Sequence, residues 1–166
     1  MPDGAAARDR LTWALGALAV AGVLAETVVL LSEVAPVSPD GFLPQRALIF
    51  PQSDLDAFAI AMLAGPGVLY RAVLWADTGL ALMIAAWAWR AVPPRFRWGA
   101  LVYLATDWAE NALIFNAVGW TLRPGGWVLY PPLYDDGIAL AAWAGLLKLG
   151  VILGLIAVAA AERRGA

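Results

Sequence analysis

A chain of 166 residues in which 62% are hydrophobic and 14% charged has about half the charge of a soluble domain, where roughly 25% is usual. Its mean hydropathy of +0.72 points the same way. Cysteine and histidine are both absent, which excludes disulfide frameworks, thiolate chemistry, and imidazole as metal ligand or neutral-pH base. Haem held by histidine is excluded with them. An all-oxygen cation site needs no imidazole, but no motif here implies a metal or cofactor. The net charge of −2 says little about partners, because several of the acids are expected inside a bilayer. No basic module exists to bind nucleic acid.

Residues 11–31 form an apolar run close to the roughly 20 residues that cross a bilayer. The run exceeds the roughly 7–15 residues of a signal-peptide core and no A-x-A site follows, so a retained span is expected. Glu26 lies within it. The connection that follows is broken by Pro36, Pro39, Gly41, Pro44 and Pro51. Ser53 and Asp56 form an S-x-x-D helix start, and residues 53–64 predict a short helix, too short to span, at the interface or capping a bundle. Gly65-Pro66-Gly67 ends it.

Residues 68–89 predict a second span with Asp77 near its centre, and Arg71 near its start is placed to snorkel toward headgroups. The loop RAVPPRFR (90–97) leads to a third span, 98–120. A second loop, 121–137, carries Trp127, Tyr130 and Tyr134, which with Trp120 suit an interfacial aromatic belt. The fourth span is 138–160, with Lys148 near mid-depth. Trp75, Trp108 and Trp143 lie deeper than a belt, where they either pack in the core or line a pocket, and core packing is the preferred expectation. The fold class is therefore an all-α membrane protein, a bundle of four transmembrane helices forming a single integral membrane domain over 1–166. Arg8, Arg10, Arg90, Arg95, Arg97, Arg163 and Arg164 fall on one side and only Arg46, Arg71 and Arg123 on the other. That bias predicts both termini in the cytoplasm and, for a multi-pass chain of this composition, a bacterial inner membrane.

The third span holds the densest chemistry. Asp107, Glu110 and Asn111 are spaced i, i+3 and i+4 and share one helix face, which Tyr103 and Ile114 extend by a turn each way. Acids at mid-depth cannot face lipid cheaply and must find protein or water. Glu26, Asp77, Asp107, Glu110 and Lys148 come from all four spans, so their inward faces are expected to meet in one core. Lys148 neutralises one carboxylate; the others are expected to share protons or a cation. The candidate ligand-binding residues are therefore Asp77, Asp107, Glu110, Asn111, Lys148, Glu26 and Tyr103, with no catalytic residue assigned. Asn116 is nearly opposite Asp107 and is expected to serve a neighbour or loop. Gly150 and Gly154 form a G-x-x-x-G away from Lys148 that permits close helix approach.

Asp77, the D-x-x-E-N of Asp107 to Asn111, Lys148, and the proline-bearing PDGF of residues 39–42 together resemble a group of small bacterial four-helix membrane proteins. That resemblance implies the four-span fold and no particular activity. A looser similarity is to the four-helix sterol-isomerase and sigma-2-receptor superfamily, which places acids inside the membrane around a lipophilic ligand. The histidine expected of its isomerase members is missing here.

Three readings of function follow. In the first, the carboxylate and Lys148 cluster binds a small amphiphilic ligand or cation among membrane lipids, and the carboxylates at i and i+3 are spaced to shuttle a proton. In the second, the acids relay protons or cations, which four short spans accomplish only as a homo-oligomer. In the third, the charges are internal staples of a non-catalytic subunit or assembly factor of a larger membrane complex. The first is preferred.

Overall fold

The computed structural model describes residues 3–63, 65–120 and 138–164. They form α1 (Asp3–Val29), α2 (Gln52–Leu63), α3 (Gly67–Ala91), α4 (Trp98–Trp120) and α5 (Leu140–Arg164), with no strand among them. The expected loop over 121–137, with Trp127, Tyr130 and Tyr134, lies outside the described residues.

Three segments are long and apolar enough to cross a membrane: Asp9–Val37, Gly67–Ala91 and Leu140–Glu162. Of the most apolar 18-residue stretch in the first and in the third, only 11% is buried within the protein. Their outer faces show Leu18, Val20, Leu24 and Val28 on α1, and Leu147, Leu153 and Ile156 on α5. Apolar faces of this extent need an apolar solvent. At 23 residues α4 is about 35 Å long, enough to span. It is not among the three, because Asp107, Glu110, Asn111 and Asn116 offset its apolar residues.

The end of α1 shows how proline shapes the connection. The helix widens into a π turn at Leu30–Val34 and tightens into a 3₁₀ turn at Ala35–Val37. Pro36 has no N–H with which to continue the α-helical ladder. A reversal follows at Pro39–Gly41, where Asp40 (φ 51°) and Gly41 (φ 71°) adopt the left-handed conformation, open to glycine and tolerated by aspartate. The Ser38 hydroxyl donates to the Phe42 carbonyl and closes the turn.

This turn delivers Phe42 edge-on to Phe50 and Phe58, at ring separations of 5.2 and 6.0 Å, and Phe58 stacks edge-on to Tyr70 at 4.8 Å. On α2, Leu55, Phe58, Ala59 and Met62 are buried while Asp54, Asp56 and Ile60 face outward. The i, i+3, i+4, i+7 spacing makes α2 a lid over one end of the bundle. The Ala139 amide donates to the Phe50 carbonyl at 2.9 Å and ties this cap to the start of α5.

Two apolar layers result. One, at the α2 end, is built on Leu30, Phe50, Phe58, Tyr70, Leu74 and Ile114. The other, toward the α3–α4 loop, is built on Ala81, Ala85, Ala88, Ala100, Tyr103 and Leu155. Positions 77, 107–111 and 148 fall between them.

Phe58→Ala removes a ring from the middle of the aromatic layer and is expected to cost about 3–5 kcal/mol. Ile60→Ala, on the outward face of the same helix, should stay within about 0.5 kcal/mol. Unfolding of the purified protein in mild detergent measures both.

Candidate functional site

Between the apolar layers, polar side chains from α1, α3, α4 and α5 form one connected series. Its centre is Lys148 on α5, whose Nζ lies 3.1 Å from Asp107 Oδ1 and also pairs with Glu110 Oε2. Asp107, Glu110 and Asn111 are 1%, 2% and 4% exposed, so little solvent screens these pairs. The helical i, i+3 spacing turns both carboxylates toward α5. Gly145, one turn before Lys148, leaves the room they need. A Cβ at that position would stand 2.7 Å from Glu110 Oε1.

Asn111 carries the series on to α3. Its Nδ2 donates to Asp77 Oδ2 at 2.9 Å and to Asp107 Oδ2 at 3.3 Å. Asp77 in turn lies near Glu26 on α1. Glu26 also faces Arg46, at 3.8 Å. The same Arg46 nitrogen, Nη2, donates to Thr27 Oγ1 at 2.6 Å. The series thus runs Arg46, Glu26, Asp77, Asn111, Asp107, Lys148, Glu110.

Six of the seven candidate residues belong to it. Tyr103 does not. It is buried in the alanine-rich layer, and none of the contacts described joins its hydroxyl to the carboxylates. Arg46 was missed, since it lies in the proline-rich connection where no periodicity ties it to Glu26. Gly145 was missed as well; in a span rich in alanine and glycine nothing marks one small residue out.

The tryptophans expected in the core are turned outward instead: Trp75, Trp108 and Trp143 are 66%, 42% and 55% exposed. In a membrane the exterior is as apolar as the interior, so bulk does not force a ring inside. Two of them have a specific place. Trp75 and Trp108 line a cavity of about 570 Å³ between α3 and α4, with Leu74, Thr78, Asn111 and Phe115. Trp75 meets Phe115 edge-on at 6.0 Å, and Trp108 Nε1 donates to the Thr78 carbonyl at 3.3 Å. The volume falls within the roughly 300–1,000 Å³ of small-molecule sites. Asn116 lines the same cavity. Asn111 is the buried polar residue of the wall and links the cavity to the ion-paired core.

Asp107 and Glu110 are not part of that wall, and Lys148 holds both. Among the described residues no group of three or more His, Cys, Asp or Glu side chains is arranged to hold a metal ion; the ammonium of Lys148 sits where a cation would. Chemically the arrangement offers recognition at Asn111 rather than a free acid–base pair. Compared with protein-family models, curated proteins and solved structures, the chain matches none.

Lys148→Met leaves two buried carboxylates without their counter-charge and is expected to cost about 3–5 kcal/mol. Adding Asp107→Asn and Glu110→Gln should recover most of that loss, because the neutral triple variant buries no unpaired charge. Thermal unfolding of the native chain and these two variants in the same detergent gives the comparison.

Proposed function

We propose that the chain is a four-span protein of a bacterial inner membrane, with both termini cytoplasmic, that binds a small amphiphilic ligand in the cavity between α3 and α4. Support for the spans comes from the apolar outer faces of α1 and α5, the length of α4 and the uneven distribution of arginines along the sequence. The resemblance to small bacterial four-helix membrane proteins agrees with this. The observation that carries the binding reading is the cavity itself: aromatic walls in Trp75, Trp108 and Phe115, and a single buried amide, Asn111, tied to the charged core. Ligand sites commonly combine an apolar lining with a few placed polar groups.

A proton or cation relay is less well supported. The polar series reaches the α2 end through Arg46, but the alanine-rich layer lies between Lys148 and the opposite end. The staple reading has one observation of its own, since Lys148 is closed on two carboxylates. Gly150 and Gly154 are also open on α5, as a helix that docks on another subunit would leave them.

Purification in mild detergent followed by mass spectrometry of the intact protein separates these readings. Retention of an amphiphile by the native chain, lost in Ala112→Phe, is the expected result; Ala112 is an exposed cavity residue, so filling there leaves the core untouched. A native chain carrying a partner protein and no amphiphile would favour the staple.

A further inference from the structure

The end of the bundle at the α3–α4 loop gathers Arg90, Arg95 and Arg97, and the last of these lacks a counter-charge. Arg90 reaches α1, where its Nε donates to Thr12 Oγ1 at 3.3 Å, and Arg95 pairs with Glu162 on α5 at 3.3 Å. Asp9 and Glu162 are the acids of this end with described side chains, and neither forms an ion pair with Arg97. Arg97 lies instead over the Trp89 ring, its guanidinium carbon 5.8 Å from the ring centre, within the roughly 6 Å at which a ring face attracts a cation. Its Nε is buried and without a hydrogen-bond partner. The residue as a whole is half-buried and Nε is its one enclosed nitrogen, so the two terminal nitrogens remain accessible. A guanidinium held in this way is partly dehydrated and unpaired, and it gains most from an anion whose oxygens its planar fork can bridge.

We propose that Arg97, held against Trp89, binds the phosphate of an anionic membrane lipid. The site lies at the far end of α3 from Leu74 and Trp75 and stands independently of the cavity there. Its position selects a lipid over a free anion. The apolar segment of α3 ends at Ala91, so Trp89 and the loop after it lie where headgroups begin. Trp89 and Trp98 are both exposed, and their rings offer apolar surface that a glycerol backbone and upper acyl chain cover but inorganic phosphate does not. Charge selects among lipids. A zwitterionic headgroup carries an ammonium that competes for its own phosphate and is repelled by Arg95 and Arg97, whereas an anionic headgroup carries none.

The test titrates the purified full chain, stripped of lipid in a neutral detergent, with phosphatidylglycerol, with phosphatidylethanolamine of the same chains, and with inorganic phosphate. Mass spectrometry of the intact protein counts what is bound. The expected result is saturable phosphatidylglycerol binding, about fivefold tighter than phosphatidylethanolamine, with no retention of inorganic phosphate. Arg97→Gln should remove that preference, while Arg10→Gln, an exposed arginine of the same end, should leave it in place. Thermal unfolding without lipid shows whether Arg97→Gln keeps its fold; Trp89→Leu, which leaves the charge and removes the ring, should also weaken phosphatidylglycerol binding. Equal affinity for the two lipids, or an equal loss in Arg10→Gln, overturns the site. Inorganic phosphate bound as tightly as phosphatidylglycerol overturns the lipid as its occupant.

Discussion

The ammonium of Lys148, set between the carboxylates of Asp107 and Glu110, is the contact on which the rest of the arrangement depends. Removing three charges from water is expensive, and the attraction recovered offsets this only where the geometry is close and the remaining lone pairs are bonded. The chain meets the first condition at both carboxylates and the second at Asp107, with few residues. Gly145 lets α4 come near enough to α5 for Glu110 to reach the ammonium. Asn111 bonds the second oxygen of Asp107 and, with the same amide nitrogen, an oxygen of Asp77 on α3. A slip of either helix by one residue would rotate the carboxylates away from α5, so the pair fixes register as well as contact.

The two apolar layers that enclose this polar slice differ in build. At the α2 end, rings from the connecting segment, α2 and α3 hold the helices apart around a bulky centre. Toward the α3–α4 loop, alanines line α3 and the helices approach closely. The cavity opens beside Asn111 on the side of the aromatic layer, between Leu74 and Trp75 on α3 and Phe115 on α4. The cavity wall and the ion-paired core meet at Asn111. One of its amide atoms belongs to the ion-paired core, and the other is unpartnered.

Much of this was legible in the sequence because it is local. Apolar runs marked the long helices, S-x-x-D marked the start of α2, and the i, i+3, i+4 spacing put Asp107, Glu110 and Asn111 on one face. That Lys148 would seek those carboxylates followed from its being the only base at mid-depth. Contacts that depend on the path of irregular chain were not legible. Arg46 reaches Glu26 because a π turn, two 3₁₀ turns and a left-handed Asp40 bring it back over α1, and no periodicity encodes that route. Preferring core packing over a pocket lining for Trp75, Trp108 and Trp143 failed for a different reason. The inference from bulk to burial belongs to proteins in water, and the outward faces here are as apolar as the inward ones.

Lys148 is the chain's sole lysine, which gives the central contact a direct test. Solid-state NMR of the protein in bilayers, with nitrogen-labelled lysine and carbon-labelled acidic side chains, should show one ammonium signal. Its through-space correlations should reach both an aspartate and a glutamate carboxyl, with the aspartate peak lost in Asp107→Asn and the glutamate peak lost in Glu110→Gln. An ammonium that correlates only with water or lipid phosphate would contradict the account.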